Sequence, residues 1–142
     1  MIKICFVCTG NTCRSVMAER IMKDKIKKLQ ISDVKVLSRG IKANGEQISP
    51  LAKKTLKKMK VSSANRKSVK LGKTDDTTLY IAMTESLKQF INAKKVASFK
   101  SLVGFDILDP YGQSEEVYYK TALDIEKGIN KLIEKINLWR EL

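Results

Sequence analysis

The amino-terminal part of the chain shows a strand pattern, a tight loop and a helix pattern in direct succession. Residues 1–7 are rich in apolar strand formers, and the turn sequence Thr9-Gly10-Asn11 follows them. From Met17 to Leu29, apolar residues recur every three or four positions, with charged residues between them. A buried strand that passes through a short loop into an amphipathic helix is typical of a β-α-β unit, and such units build parallel sheets covered by helices.

Strand and helix patterns alternate along the rest of the chain. Further strands are predicted at 34–37, at 79–83 and, from a weaker pattern, at 96–99. The alternation predicts a single α/β domain over residues 1–142, a doubly wound sheet of four mostly parallel strands with helices on both faces. In such sheets ligands bind beyond the carboxyl ends of the strands, which is where residues 8–15 would lie.

Two helices are predicted in the middle of the chain. Ser49 followed by Pro50 favours a helix start, because proline fits the first helical position. Thr84 and Glu85 open the next helix. The predicted apolar stripe of that helix consists of Leu87, Phe90 and Ile91.

The last predicted helix is the longest. Ser114, with two glutamates behind it, is expected to cap its amino terminus. Its apolar stripe runs from Val117 to Trp139. Gly128 is the weak point in this stripe, since glycine disfavours helix interiors.

The composition excludes several kinds of chemistry. The chain of 142 residues contains no histidine, which removes the Ser-His-Asp triad, the Cys-His pair and any histidine general base. Three cysteines without histidine also fall short of the usual four-ligand zinc site, so we expect neither a metal nor a cofactor. Catalysis would have to use cysteine, a carboxylate, lysine, tyrosine or serine.

The cysteine count and the hydropathy indicate the compartment. An odd number of cysteines favours free thiols in a reducing environment, and no apolar run is long enough for a membrane span or a signal peptide. We therefore expect a cytoplasmic protein. Cys5 and Cys8 have the redox spacing C-x-x-C, but residues three apart on a strand face opposite sides, so Cys5 is interpreted as a core residue.

Positive charge is concentrated in the first half of the chain. Residues 1–73 contain 19 Lys and Arg against 4 Asp and Glu, whereas residues 74–142 contain 9 against 11. Such a distribution raises the alternative of a non-catalytic basic module that binds nucleic acid. No aromatic residues alternate with these lysines, however, and many of them occupy the polar sides of helices, so nucleic acid is not the expected partner.

The junction between the first strand and the first helix carries a nucleophile and a cation. Cys8 and Arg14 flank a tight loop whose backbone N–H groups can surround an oxyanion at the positive end of the helix. Gly10 permits a close backbone approach, and Asn11 tolerates a left-handed conformation. Arg14 would grip two phosphate oxygens, and the same field favours a Cys8 thiolate, to which Ser15 could donate a hydrogen bond.

Cleavage of a phosphate ester or phosphoramidate also requires a proton donor for the leaving group. Without histidine the donor must be a carboxylic acid or a tyrosine. Asp109 is the preferred candidate because Pro110 restricts its backbone, and Asp106 is the second choice.

These residues resemble the low-molecular-weight protein tyrosine phosphatase family. The family signature V-C-x-G-N-x-C-R-S appears as residues 7–15, and its late D-P-Y element appears as residues 109–111. The resemblance covers essentially the whole chain. It extends to Ala18-Glu19, Ser38-Arg39-Gly40 and Ala82-Met83.

The resemblance implies the strand order 2-1-3-4 and a phosphocysteine intermediate on Cys8, with Asp109 as general acid and then as base for the hydrolytic water. It also implies that Cys13 can trap oxidised Cys8 as a reversible disulfide. Asn11 would be supported by Ser15 and Ser38. The residues implied to bind phosphate are Thr9, Gly10, Asn11, Thr12, Cys13, Arg14 and Ser15.

Two positions depart from the family pattern. Val16 occupies the place where a proline usually begins the helix, which should cost little because that proline only preorganises the chain. Where many members have a histidine that supports the loop asparagine, the nearest residue in this chain is Ser63. We therefore expect a smaller supporting network.

The resemblance also bears on the substrate. Tyrosine-directed members usually carry Ile or Leu at the position of Thr12, whereas bacterial protein-arginine phosphatases of the family carry Thr. Thr12 and Tyr111 are therefore the expected specificity residues, and Gly112 after Tyr111 also resembles the arginine-directed branch. Phosphoarginine on proteins is the favoured substrate and phosphotyrosine the alternative.

Other expectations follow from the same resemblance. An arsenate reductase of this fold would need further redox cysteines in the second half of the chain, and none occurs after Cys13. The expected partners are phosphorylated proteins, with phosphate or a similar oxyanion in the loop. We expect a monomer that does not associate with membranes.

Overall fold

A four-stranded parallel sheet forms the centre of the computed structural model, which describes residues 1–63 and 65–141. Its strands are β1 (Ile2–Cys8), β2 (Val34–Gly40), β3 (Thr78–Ala82) and β4 (Val96–Ser98). Their order across the sheet is β2-β1-β3-β4, and every neighbouring pair is parallel. The predicted α/β fold class and the strand order 2-1-3-4 are confirmed.

Helices flank this sheet. They are α1 (Arg14–Lys28), α2 (Pro50–Lys58), α3 (Phe99–Val103) and α4 (Glu115–Arg140), with a six-residue 3₁₀ helix at Glu85–Phe90. Ser49 caps α2 by accepting a hydrogen bond from the Ala52 backbone, and Ser114 caps α4 by accepting one from the Val117 backbone. Both predicted helix starts are therefore confirmed.

The central position of β1 explains where the candidate site lies. β1 pairs with β2 on one side and with β3 on the other, so the strand order reverses at its carboxyl end. Cys8, the last residue of β1, lies opposite Gly40 of β2, and Val7 lies opposite Ala82 of β3. The loop that follows Cys8 thus begins at the switch point where doubly wound sheets bind their ligands.

The core contains both faces of β1 and most of the predicted apolar stripes. Residues 4–8 of β1 are all buried, as are Met17, Ala18, Ile21, Met22 and Ile26 of α1. Leu29, predicted to end the stripe of α1, is instead exposed, because α1 ends at Lys28 and the chain turns away.

The predicted helix after Thr84 differs from the structure in type and in its buried face. A 3₁₀ helix has three residues per turn, so its faces do not follow the α-helical spacing. Leu87 and Ile91 are buried as predicted, but Phe90 is 57% exposed. Placing Phe90 in the core was wrong for this reason.

The segment after β4 contains a helix that the strand pattern concealed. β4 ends at Ser98, and Phe99 begins α3 rather than ending the strand. The Ser98 hydroxyl accepts a hydrogen bond from the Ser101 backbone, while the Ser101 hydroxyl lies 3.0 Å from the Ser98 nitrogen and accepts from it. This reciprocal capping box starts α3 at a position where residue propensity favoured a strand.

Gly128 is a point of close packing in α4. A Cβ atom at this position would lie 2.1 Å from Cζ of Phe99, so only glycine leaves room for the aromatic ring. The low helix propensity of Gly128 is offset by burial of Phe99 against the helix. The stripe of α4 is buried from Ala122 to Ile136, whereas Trp139 near its end is partly exposed.

Within residues 1–63 and 65–141, none of the helices combines the length and the apolar character that a membrane crossing requires.

Candidate active site

The loop between β1 and α1 is held on its outer side by hydrogen bonds that its backbone carbonyl groups accept from neighbouring segments. The Cys8 carbonyl accepts a hydrogen bond from the Ile41 backbone at 2.9 Å, and the Thr9 carbonyl accepts one from Lys42 at 2.8 Å. The Thr12 carbonyl accepts a hydrogen bond from the Ser49 backbone at 2.9 Å. With these carbonyls held outside, the Asn11 N–H turns inwards and donates to Cys8 Sγ at 3.2 Å.

The end of β2 touches the back of this loop. A Cβ atom on Gly40 would lie 2.8 Å from both the nitrogen of Asn11 and the carbonyl carbon of Gly10. Only a glycine at position 40 therefore lets strand and loop come together. Asn11 itself has a φ of 54°, a left-handed conformation that asparagine tolerates better than most residues.

The side chain of Asn11 is completely buried and uses all its hydrogen-bonding capacity. Its Nδ2 donates to Ser15 Oγ at 2.8 Å and to Ser38 Oγ at 2.9 Å. Its Oδ1 accepts from the Val69 backbone at 2.9 Å and from Arg66 Nη1 at 3.0 Å. The structure thus brings together Asn11, Ser15 and Ser38, the three residues that the family resemblance implied to be in contact.

Arg66 and Glu19 complete this network, and neither was expected to support the loop. Arg66 Nη2 donates to Ser38 Oγ at 2.8 Å and to Glu19 Oε1 at 2.9 Å. The expectation of a smaller network around Ser63 was wrong, because an arginine three positions later reaches the asparagine. A sequence signal did exist: Glu19 lies within the apolar stripe of α1, and a carboxylate buried there requires cationic partners.

Glu19 remains ionised in spite of its burial. Burial by itself would raise its pKa, but hydrogen bonds from Ser38 and Lys23 and the charges of Lys23 and Arg66 outweigh that effect. The pKa of Glu19 is consequently lowered from its ordinary value of 4.5. A buried negative charge therefore anchors the hydroxyl and guanidinium groups beneath the loop.

Cys8 lies at the bottom of the loop, almost entirely buried. Ser15 Oγ is 2.9 Å from Cys8 Sγ. Because this hydroxyl oxygen already accepts a hydrogen bond from Asn11, its own hydrogen is available to the sulfur. Cys8 Sγ thus has two potential hydrogen-bond donors, the Ser15 hydroxyl and the Asn11 backbone.

Arg14, the first residue of α1, connects the loop to the segment before α4. Its Nη1 donates to the Ile107 carbonyl at 3.1 Å, and its Nη2 lies 3.8 Å from Asp109 Oδ2. The side chain is nearly buried, so its orientation is fixed by these partners.

Asp109 is held less firmly than the loop residues. Its Oδ1 accepts a hydrogen bond from the Tyr111 backbone at 3.0 Å and lies 3.8 Å from Cys13 Sγ. The side chain is 51% exposed. Asp106, the second choice for the proton donor, accepts from the Glu85 backbone at 2.9 Å and caps the 3₁₀ helix, so the geometry favours Asp109.

A cavity of about 190 Å³ joins the predicted residues. It is lined by Cys8, Thr9, Gly10, Thr12, Cys13, Arg14, Asp109 and Tyr111. Asn11, Ser15 and Ser38 are not among the lining residues; Asn11 and Ser15 contact Cys8, and Ser38 contacts Asn11. The arrangement places a nucleophilic sulfur, a guanidinium and a carboxyl group around one small space beside a helix amino terminus.

The sequence model of the family described as low molecular weight phosphotyrosine protein phosphatase matches residues 3–141. The chain belongs to this family. It is accordingly an enzyme of the low-molecular-weight phosphatase class, and its substrates are phosphorylated proteins.

Relatives of this phosphatase act on two phosphoresidues, according to their names. A protein-arginine-phosphatase from Geobacillus stearothermophilus is 38% identical over 145 residues, which cover 94% of this chain and 95% of the relative. The tyrosine phosphatase PtpA from Staphylococcus aureus is 32% identical, with 97% of this chain and 98% of the relative covered.

Solved structures agree with this membership. The YwlE arginine phosphatase from Geobacillus stearothermophilus superposes with a TM-score of 0.87 at 35% identity, covering 99% of this chain and 96% of that one. A YwlE variant with a phosphorylated serine in its active site gives a TM-score of 0.86 at 31% identity, with 96% of each chain covered.

Cys5 and Cys13 of this phosphatase are protonated at neutral pH. Burial raises the pKa of Cys5 to about 12. Burial, together with the neighbouring Cys8 and Asp109, likewise raises the pKa of Cys13 to about 12. Cys5 is a buried core residue, whereas Cys13 lines the cavity, and all three thiols are free.

Proposed function

We propose that this phosphatase hydrolyses phosphoarginine on proteins through a phosphocysteine intermediate on Cys8. The observation that carries the proposal is the cavity in which Cys8, Arg14 and Asp109 meet, with Thr12 in its wall. The Geobacillus relative named as a protein-arginine-phosphatase, whose chain is matched almost from end to end, supports the choice of substrate.

In the first step the Cys8 thiolate attacks phosphorus, an S–P bond forms and the N–P bond breaks. Arg14 and the loop N–H groups stabilise the charge on the transferred phosphoryl oxygens. Asp109 gives its proton to the departing guanidine nitrogen. The half-exposed position of Asp109 near Arg14 leaves room for this leaving group.

In the second step a water molecule attacks the phosphorus of the intermediate and the S–P bond breaks. The Asp109 carboxylate takes a proton from that water and is ready for the next cycle. The sulfur leaves as a thiolate, to which the Ser15 hydroxyl and the Asn11 N–H donate. Inorganic phosphate is the second product.

Thr12 and Tyr111 are the proposed specificity residues. Thr12 is fixed through its carbonyl by Ser49, and its hydroxyl lies beside Gly10, where a Cβ would be 3.6 Å away. A polar side chain at this point suits a guanidinium, whereas Ile or Leu would offer an apolar wall to a flat ring. Tyr111 is 80% exposed at the other side of the cavity and is available for contact with the substrate.

Two variants test the proposal. Replacing Cys8→Ser should abolish hydrolysis of a generic aryl phosphate, on the order of 10⁴-fold or more, because a hydroxyl at this position is a much weaker nucleophile. Retained hydrolysis would contradict the mechanism.

For specificity, initial rates on matched phosphoarginine and phosphotyrosine peptides are compared for the wild type and Thr12→Ile. We expect the wild type to prefer phosphoarginine and Thr12→Ile to shift the ratio towards phosphotyrosine. Ser49→Ala is the matched control, since it changes a neighbour of Thr12 while leaving the Thr12 side chain intact. A wild-type preference for phosphotyrosine contradicts the arginine assignment.

Tyrosine phosphatase activity by the same mechanism is the second candidate. The exposed Tyr111 ring beside the cavity favours it, because an aromatic side chain can stack on a phosphotyrosine ring. The relative named PtpA also supports it. The paired peptides above distinguish the two candidates directly.

We infer further that Cys13 protects the nucleophile from oxidation. A peroxide would oxidise Cys8 to a sulfenic acid and be reduced to water; the Cys13 thiol would then displace water from that sulfur to form a disulfide. A dithiol would restore both thiols. After treatment with excess peroxide, which oxidises an untrapped sulfenic acid further to sulfinic acid, we expect dithiothreitol to restore activity in the wild type but not in Cys13→Ser, and equal recovery in both would overturn the inference.

A further inference from the structure

Arg66 is the cation beneath the phosphate loop. Its guanidinium donates to three side chains at once: Asn11 Oδ1 at 3.0 Å, Ser38 Oγ at 2.8 Å and Glu19 Oε1 at 2.9 Å. A fourth hydrogen bond, to the Lys67 carbonyl at 2.8 Å, fixes the side chain to its own segment. Of the cationic side chains, only arginine has a planar fork of several donors that can reach such a set of acceptors.

These contacts fix the direction of each hydrogen bond in the network. Arg66 and the Val69 N–H are both donors, so the group of Asn11 that faces them must be its oxygen. The amide nitrogen of Asn11 is thereby turned towards Ser15 and Ser38.

Ser15 and Ser38 both accept a hydrogen bond from the Asn11 amide but direct their hydroxyl hydrogens to different partners. Ser38 directs its single hydroxyl hydrogen to Glu19 and accepts from Asn11 and Arg66. Ser15 also accepts from Asn11, and its hydrogen is left for Cys8 Sγ at 2.9 Å.

We propose that Arg66 is a positioning residue, which holds the Asn11 amide in the orientation that makes the Ser15 hydroxyl a donor to Cys8. The inference rests on the proposed role of Cys8 as nucleophile. Arg66 touches neither the substrate nor the sulfur and acts through two intervening side chains. Without it, the Val69 N–H alone holds the Asn11 oxygen, and whenever the amide turns over, the Ser15 hydroxyl is drawn to Asn11 instead of the thiolate.

The role of Arg66 is not explained by the need to neutralise the charge of Glu19. Lys23 Nζ donates to Glu19 Oε2 at 2.9 Å, and the Ser38 hydroxyl donates to Oε1. Arg20 Nη1 lies a further 3.9 Å from the carboxylate. Glu19 therefore keeps cationic partners in the absence of Arg66, whereas Asn11 Oδ1 keeps only the Val69 N–H.

The test uses Arg66→Met and Arg66→Lys, with Lys67→Met as the control. Met keeps an unbranched apolar stem but donates nothing, and Lys preserves the charge but cannot reach three acceptors in one plane. Lys67→Met removes the same charge from the next, exposed residue, and should leave every rate nearly unchanged.

Two readouts report on the sulfur. The first is the rate at which neutral iodoacetamide alkylates Cys8 at pH 7, where Cys5 and Cys13 are protonated because the pKa of each is about 12. The second is kcat and KM for an aryl phosphate. In Arg66→Met we expect alkylation to slow about tenfold and kcat to fall roughly 10- to 100-fold, with a much smaller change in KM. Arg66→Lys should lie between this variant and the wild type.

Wild-type alkylation and kcat in folded Arg66→Met would overturn the inference and leave the phosphatase proposal intact. If Arg66→Met does not fold, Arg66→Lys tests the inference instead. A wild-type kcat for Arg66→Lys would overturn it. Losses in Arg66→Met that are matched by Lys67→Met would also overturn it, because they would reflect only lost charge. Failure of the proposed function is recognised separately, by hydrolysis that survives Cys8→Ser.

Discussion

The phosphate loop and the Asp109 segment face the same cavity but are held in opposite ways. Asn11 is completely buried, and four hydrogen bonds fix its side chain, which accepts from Arg66 and the Val69 backbone and donates to two serines. Asp109 is half exposed and receives its clearest hydrogen bond from Tyr111, two residues away in the same turn. The loop proposed to bind the phosphate charge is held rigidly, whereas the carboxyl group proposed to exchange protons stays in contact with water. The proposed proton donor would change its protonation twice in every cycle, and it benefits from that exposure.

The substitution Asp109→Asn should impair the reaction and leave the phosphate loop intact. We expect kcat to fall about 10²- to 10⁴-fold, because the leaving group loses its proton donor. Stability should change by less than about 0.5 kcal/mol, since the side chain is half exposed. Steady-state kinetics and chemical denaturation measure the two effects.

The matched control for that variant is Asp106→Asn. The new amide can still accept the hydrogen bond from the Glu85 backbone, so the rate should stay near the wild-type value. A larger loss of rate in Asp106→Asn than in Asp109→Asn would show that Asp106, and not Asp109, is the proton donor.

The substitution Asn11→Ala removes the centre of the hydrogen-bond network that holds the phosphate loop. We expect a loss of roughly 2–4 kcal/mol in the free energy of unfolding, because buried donors and acceptors lose their partners and alanine disfavours a φ of 54°. Urea denaturation gives the value, and Asn44→Ala, an exposed side chain in a nearby loop, should change it by less than about 0.5 kcal/mol. Equal losses in both variants would show that the network contributes little.

The pH dependence of stability tests the network beneath the phosphate loop, and its expected effect is the smallest of these. The pKa of Glu19 is lower in the folded protein than in the unfolded chain, so its contribution is complete above the ordinary value of 4.5 and is lost as the pH falls through the folded value. We expect the free energy of unfolding to decline on acidification below pH 5, by less in Glu19→Gln than in the wild type.

Glu134→Gln, on an exposed part of α4, provides the control for the acid titration. Unfolding is measured at a series of pH values for the three proteins. A slope in Glu19→Gln that equals that of the wild type would show that the buried carboxylate does not govern acid sensitivity.

The local parts of the fold and site were predictable from the sequence. The strand, loop and helix of residues 2–28 are encoded in consecutive residues, and the turn of the chain at Gly10 and Asn11 follows from their backbone preferences. For the same reason the Ser49 and Ser114 caps could be placed. The loop of Asp109 could be chosen because Pro110 marks it.

What escaped prediction depends on contacts between distant segments. Arg66 reaches Asn11 across 55 positions, and no local pattern distinguishes it from the many other basic residues nearby. α3 was concealed because Phe99 continues an apolar run, and only the reciprocal bonds of two serines stop the strand. Phe90 was misplaced because the sequence does not announce a 3₁₀ rather than an α-helical turn.

The contact between Gly128 and Phe99 has a consequence for how such sequences diverge. The ring fills the space that a side chain on α4 would need, so the combined volume at the two positions is nearly constant. Substitution of either one alone creates a clash or a cavity, whereas an exchange of size between them conserves the packing. Positions 99 and 128 should therefore covary, and a Gly128→Ala variant should regain stability when Phe99 is replaced by leucine.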